Sequence, residues 1–380
     1  MKIILAPDSM KGSISSPEAS AALVRGIRAV RPDADCVRVP IADGGEGTLD
    51  ALVPPEDRVT VTVHGPDGRL VDAAYGILNG TAVIEMARAA GLTLVPESER
   101  NVLRASTFGV GELIRDAAHR GCRDILLTVG GSGTNDGGTG LIRALGGVLL
   151  DRDGRELPGD GATLCEVTSI RTDGLDTAVL ACRFTAASDV VNPLLGPTGA
   201  TAVYGPQKGV TPALMPRIEA GMARWADCLR AACGRNVAVL PGCGAGGGVL
   251  APLLAFCGLT VRSGIQAVLD RADFDRLLDG ADLCVTGEGR IDGQSACGKA
   301  IGGVAARCAA HGVPVEAVAG CLGDGWENTA GMGIRRVRTL IDLVPDDIPA
   351  ADRGRWSMAN AGLLLEQIGR RIAASLPDQL

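Results

Sequence analysis

The sequence predicts an α/β protein of two domains, a Rossmann-like doubly wound domain and an inserted mixed α/β domain with β-hairpins. Three observations carry that expectation. Short apolar strands alternate with segments of helical period at both ends of the chain, as βα repeats do. The middle alternates apolar and polar residues by two around tight turns, the mark of hairpins. Apolar segments also run repeatedly into Gly-rich polar loops, and in open α/β sheets ligands bind at such loops, at the carboxyl ends of strands. The expected division is 1–58 plus 270–380 for the doubly wound domain and 59–269 for the insertion, with the active site in the cleft between them.

In chain order, residues 2–5 (KIIL) read as a strand and 17–31 as a helix, with Ser16 as N-cap and Pro17 in the first helical position. A second strand covers 36–41. VTVTVHGPDGRLVDAAYGIL, from Val59, is a hairpin, and TAVIEMA continues it as a third strand. A helix at 106–120 leads to a strand at 124–129. LLDRDGREL (149–157) is a second hairpin, 180–186 a strand, and 212–233 a helix capped by Thr211. Apolar 236–240 and 282–285 read as strands. Helix 299–311, strands 314–319 and 337–343, and a closing helix at 357–375 complete the chain.

Composition limits what such a fold can do. With 46% apolar and 21% charged residues in 380, the chain can bury a large core, and with only 2% aromatics Ala, Val, Leu and Ile must fill it. A net charge of −7 without a basic cluster argues against nucleic acid or an anionic membrane as partner. Twelve cysteines without a C-x-x-C pair read as reduced, mostly buried thiols, hence a cytoplasmic protein. Three scattered histidines do not suit a zinc site. No signal peptide is read at Met1. The uncharged run 236–261 holds six glycines and two prolines, too loop-like to span a membrane.

The chemistry lies in the loops. APDSMKGS, ADGGEGT, TVGGSGTNDGG, PGCGAGGG and TGEGRIDGQSACGK each follow an apolar segment, and ASDVVNP and YGPQKG add further polar residues. Two near-matches to phosphate cradles fail on inspection. GQSACGK lacks the Ser or Thr a P-loop needs for Mg²⁺, since Ala300 follows Lys299. Gly242, Gly244 and Gly247 fit G-x-G-x-x-G, but the nearest downstream acid, Asp270, lies in a helical segment, not at the end of the next strand. What remains is an inventory of carboxylates without His or Cys, which suits Mg²⁺, and of cations, which suit phosphate and carboxylate. Together these read as metal-assisted phosphoryl transfer. Each residue also has a plainer reading: Asp8 and Asp43 as turn residues, Asp136 as a helix cap, Glu288 and Arg290 as a surface ion pair, Lys208 as a solvated side chain, and Glu85 as a strand end or a buried acid.

These loops, in this order, resemble the class I glycerate kinases, the bacterial glycerate 2-kinase family. The resemblance runs from APDSMKGSIS through PIADGGEGT, AVIEMARAAGL, VGGSGTNDGG, AASDVVNPLLGPTGAT and YGPQKG to TGEGRIDGQSACGKA, from Lys2 to about Gly320. It departs at Met10, Gly133 and Val191, where the family usually has Phe, Ala and Thr, and residues 323–353 look less like it. It implies a two-domain kinase that uses ATP and Mg²⁺ to phosphorylate glycerate, with the 2-phosphate as product. A kinase of another small hydroxy acid, or a non-catalytic nucleotide- or carboxylate-binding sensor, are the alternatives. A homodimer is left open.

The expected roles are these. Lys11 and Arg290 contact the substrate carboxylate or the transferring phosphoryl group, with Lys299 as a further cation. Gly130, Gly131, Ser132 and Thr134 bring donors to an anion at the start of the next helix, joined in nucleotide binding by Gly244, Gly246 and Lys299. Ser9, Asn135, Asp136 and Asn192 hold substrate. Asp43, Glu46, Glu288 and Asp292 hold metal. The catalytic base is Asp189, which stands apart from other acids just past a strand end, with Asp8 or Asp136 next.

Overall fold

The computed structural model describes residues 1–377 apart from 43, 46, 294 and 296–299. In chain order its strands are β1 (Lys2–Pro7), β2 (Asp35–Arg38), β3 (Arg58–His64), β4 (Leu70–Leu78), β5 (Thr81–Glu85), β6 (Asp124–Thr128), β7 (Val148–Leu150), β8 (Ser169–Arg171), β9 (Arg183–Ala187), β10 (Thr260–Arg262), β11 (Leu283–Ile291), β12 (Val315–Leu322) and β13 (Ile334–Thr339). The chain divides into two compact units, Met1–Asp43 with Ser263–Leu380, and Gly44–Arg262.

The first unit holds a wholly parallel sheet in the order β2-β1-β11-β12-β13. Counted within the unit this is 2-1-3-4-5, a doubly wound order, and the winding reverses between β1 and β11. Ile3, Leu5, Leu283 and Val285 face one side, where they pack with Leu23, Ile27, Leu364 and Ile368. Cys284 alternates to the other face and meets Cys308 of the helix Ala300–Ala310. The helices Ser16–Arg28 and Ala361–Ser375 lie against each other, and a Cβ on Gly26 would collide with the Glu366 carbonyl oxygen.

The first helix starts one residue earlier than its sequence suggests. Ser15, not Ser16, is the N-cap: its hydroxyl accepts from Glu18 N at 3.4 Å while the Glu18 carboxylate accepts from Ser15 N at 3.1 Å. The Ser16 hydroxyl instead turns inward and donates to Pro7 O at 2.7 Å. The closing helix is also two helices, Ala350–Ala359 and Ala361–Ser375, parted at Asn360.

The second unit carries a six-stranded mixed sheet, β10-β9-β6-β5-β4-β3, parallel from β10 to β5 and antiparallel through β4 and β3. The hairpin and third strand read from VTVTVHGPDGRLVDAAYGIL and TAVIEMA are β3, β4 and β5. The 149–157 hairpin is only partly present. Leu150 bridges Glu156, but the strand partner of β7 is β8. Residues 236–240 are not a strand. Val237–Val239 form a single 3₁₀ turn, and no strand among the described residues pairs with this apolar run. Leu180 ends a short helix, so β9 begins only at Arg183. The long helix runs Met215–Cys233, its first expected turn being spent on a Thr211 turn. Among the described residues no helix is long and apolar enough to cross a membrane.

Candidate active site

In the first unit the polar residues gather where the winding reverses. TGEGRI reads as loop, but β11 continues through it to Ile291, so Glu288 and Arg290 stand on a strand. The strand persists because β12 approaches so closely at Gly287 that a Cβ there would strike the Val318 carbonyl oxygen. Asp8 follows β1 directly. Its N–H donates to Gly287 O at 2.8 Å, and its Oδ1 accepts from Ser9 N at 2.6 Å. Met10 N donates to Ile14 O at 2.9 Å, closing a tight turn that leaves Lys11 exposed at its tip.

Asp8, Ser9, Lys11, Glu288 and Arg290 therefore line one cavity of about 450 Å³. Its two carboxylates are buried, and Glu288 accepts a hydrogen bond from the Ser295 hydroxyl. Its two cations are solvent-facing; Arg290 Nε lies 3.9 Å from Asp292 Oδ2. Asp292 is thus held at the end of β11, beside the cavity. Among the described residues no group of three His, Cys, Asp or Glu forms a ready metal cage. Asp43, Glu46 and Lys299 lie outside the described residues.

In the second unit β5, β6 and β9 are parallel neighbours, and Glu85, Thr128 and Ala187 form one row across their ends. The loops that follow pair with one another. Gly133 N donates to Ala90 O at 2.8 Å and Leu92 N to Gly131 O at 2.9 Å, so Gly130, Gly131 and Ser132 form an irregular strand edge beside Gly91. Glu85 is a buried acid, accepting from Leu49 N and the Arg88 guanidinium at 3.0 Å each.

The start of the helix Thr139–Ala144 does not offer its N–H groups to a ligand. Asp136, fully buried, takes them: it accepts from Gly138 N at 3.1 Å and Gly140 N at 3.2 Å, and from Thr107 N and Oγ1 at 2.8 and 2.7 Å. A carboxylate has about four acceptor positions, so nothing remains for a substrate hydroxyl. Burial pushes its pKa up, and the donated hydrogen bonds pull it back. Gly138 is the N-cap position, and the Asp136 carboxylate two residues before it satisfies the first N–H groups of the helix, the part its plainer reading gives it rather than that of a substrate ligand or base. Asn192 is similarly committed within its own loop, donating to Thr198 O at 2.7 Å and accepting from Tyr204 OH at 2.9 Å. Asn135 donates to Thr201 Oγ1 at 3.1 Å, while its Oδ1 and Thr134 Oγ1 are buried and make no hydrogen bond within the described residues.

The second Gly-rich segment acts as a wedge. Gly244 N donates to Asn192 O at 3.0 Å, and Gly246 sits against Met86 and Val249. Gly247, with φ +73°, presses on the loop 130–136: a Cβ there would strike the Thr134 carbonyl oxygen, and Gly137 N donates to Gly247 O at 3.0 Å. Asp189 follows the end of β9 and is exposed.

Lys208 carries a role that sequence reasoning missed. G-P-Q-K-G reads as a turn, where lysines are solvated, yet Lys208 is 2% exposed. Its ammonium donates to Ser132 Oγ at 2.9 Å and to Thr134 O at 2.8 Å, pinning the Gly-rich loop from below. Burial pushes its pKa down to about 7, against the opposing pull of the Asp136 charge. Only packing reveals this residue.

A doubly wound sheet whose switch point is lined by paired carboxylates and cations is the architecture of an α/β enzyme acting on anionic small molecules. The comparisons narrow that class. The family model described as the glycerate kinase family matches residues 3–376, and the chain belongs to that family. It is 42% identical to a glycerate kinase of Bacillus subtilis over 99% of this chain and 98% of that one. It is 41% identical to the glycerate 2-kinase of Escherichia coli over 85% and 86% of the two chains. A crystal structure of a proposed glycerate kinase 2 from Salmonella typhimurium LT2 superposes with a TM-score of 0.88 at 40% identity, covering 99% of this chain and 98% of the other.

Proposed function

We propose that the chain transfers the γ-phosphoryl group of ATP to a hydroxyl of glycerate, giving phosphoglycerate and ADP, with the 2-phosphate as the expected product. The observation that carries this reading is the cavity at the β1/β11 switch point, where buried Asp8 and Glu288 stand with Lys11 and Arg290. Phosphoryl transfer asks little covalent chemistry of a protein; it asks for positioning and for charges aimed at the moving phosphoryl group. Two cations beside two carboxylates meet that demand. The relatives named glycerate kinase and glycerate 2-kinase support the choice of acceptor.

Mg²⁺ fits the donor set. It takes oxygen ligands and is commonly held by one or two carboxylates with substrate phosphates and water supplying the rest. Asp8 and Glu288 are two such carboxylates on one cavity wall, with Asp292 following on the same strand end. When bound there, the ion would neutralise charge on the β- and γ-phosphate oxygens. Lys11 and Arg290 would bind the anionic groups and orient them. For the proton released by the attacking hydroxyl we keep Asp189, an exposed carboxylate after β9, with Asp8 as the alternative.

ADP release measured with D-glycerate, L-glycerate, tartronate and no acid tests the reading. D-Glycerate should be turned over in a Mg²⁺-dependent manner. Retained ATP binding without turnover of any hydroxy acid would defeat it.

A further inference from the structure

A second cavity, of about 340 Å³ and wholly within the unit Gly44–Arg262, takes no part in the reading above. Lys208 and Gly133 form part of its wall, and Arg69, Arg100 and Arg104 line it together with only two carboxylates, Asp67 and Glu99. Four cations against two anions is a positive cluster in a chain whose net charge is −7. The two carboxylates are both engaged by one cation. Arg69 Nε donates to Asp67 at 2.5 Å, and its NH2 lies 3.1 Å from Glu99.

The other three cations have no carboxylate partner among the described residues. The Arg100 guanidinium donates only to backbone oxygens, Val95 O at 3.4 Å and Leu92 O at 3.3 Å. Lys208 is buried and donates only to a hydroxyl and a carbonyl. Arg104 lines the cavity, is exposed and makes no ion pair among the described residues. Burying an ammonium with no carboxylate at hydrogen-bond distance is unfavourable, the Asp136 charge offsets only part of that cost, and a bound anion would supply the rest. Next to the wall formed by Gly133 and Lys208, the Lys208 ammonium fixes Ser132 and the Thr134 carbonyl, and the Thr134 hydroxyl is buried without a hydrogen-bond partner among the described residues.

We infer that this cavity is an oxyanion-binding site, in which Lys208, Arg100 and Arg104 receive the carboxylate of the small hydroxy acid or a phosphoryl group of the nucleotide. The inference deepens the proposed function, since either oxyanion belongs to a reactant of that reaction. Arginine and lysine beside an apolar wall of Leu92 and Val95 suit a small anion with a short carbon skeleton.

The test uses the full-length enzyme as wild type, Arg104→Ala and Lys208→Met. Apparent KM values for glycerate and ATP are measured, and sodium glycerate, ATP and inorganic phosphate are titrated calorimetrically. Each substitution should weaken one ligand about tenfold or more, the loss of a single charge-assisted contact, while the other ligand is unaffected. A shift in glycerate assigns the carboxylate to the cavity; a shift in ATP and phosphate assigns a phosphoryl group. Arg104 is exposed and unpaired, so its removal leaves folding intact and keeps the test decisive if Lys208→Met does not fold. Constants for all ligands within about twofold of wild type in Arg104→Ala overturn the inference, as does a fall confined to kcat. If wild type turns over no hydroxy acid, the proposed function fails by itself, and the titrations alone decide the cavity.

Discussion

Lys208 is held in a form that the solution pH should control. Its pKa, pushed down to about 7 by burial, lies well below its ordinary 10.5. Between those values the unfolded chain binds a proton that the folded chain does not, so stability rises with pH across that window. Below about pH 7 the folded state carries the full cost of a buried ammonium. Lys208→Met removes the titration. Its melting temperature relative to wild type should therefore be most favourable below about pH 7 and should fall away towards about pH 10, as followed by scanning calorimetry without ligands. A difference independent of pH would mean that Lys208 does not titrate in this window. At the end of β9, Asp189→Asn keeps shape and hydrogen bonding while removing basicity. As base, its loss should lower kcat by about 10² with little change in the KM for ATP. If kcat instead recovers at high Mg²⁺, the residue binds metal and Asp8 becomes the base.

At the scale of elements, glycine does two different jobs that look alike in sequence. In β11 it lets a neighbouring strand come close, and the chain stays extended through TGEGRI. In the segment 241–248 it wedges one loop against another. Gly247→Ala meets both the Thr134 carbonyl and an unfavourable φ of +73°, so it should destabilise the second unit by roughly 1–3 kcal/mol in urea unfolding. An unchanged midpoint would show that the wedge can yield. This ambiguity explains which parts of the site were legible. The strand–loop alternation, the hairpin of β3 and β4, the acid–cation content of the loop after β1 and the Gly-rich polar character of the loop after β6 follow from period and composition. The strand nature of Glu288 and Arg290 does not, because two glycines in six residues read as a turn until a pairing partner is known. The apolar NVAVL failed in the opposite sense: period suggests a strand, but without a neighbour it is a single turn. Asp136 and Lys208 depend on burial, which local sequence does not report. A cap and a ligand use the same carboxylate.

Along the chain, one continuous unit interrupts another assembled from both chain ends. The continuous segment 44–262 owns its sheet and its core, from Ile84 and Leu127 to Trp225. Produced alone, it should unfold cooperatively with a single thermal transition and retain slow amide exchange in β5, β6 and β9; a broad transition without protected amides would refute its independence. The outer unit has no such autonomy at its amino end. β1 lies between β2 and β11, and Lys2 and Asp282, 280 positions apart, share a backbone-to-carboxylate hydrogen bond. A ribosome adding about 5–20 residues per second needs roughly 15–60 s to cover that distance. For that interval the newborn KIILAP segment has no strand to its β11 side, and the first helix waits still longer for Ala361–Ser375. The inner segment is finished first. Folding thus completes in the middle segment before the two chain ends are joined, and the cavity of Asp8 and Glu288 comes into being only near the end of translation.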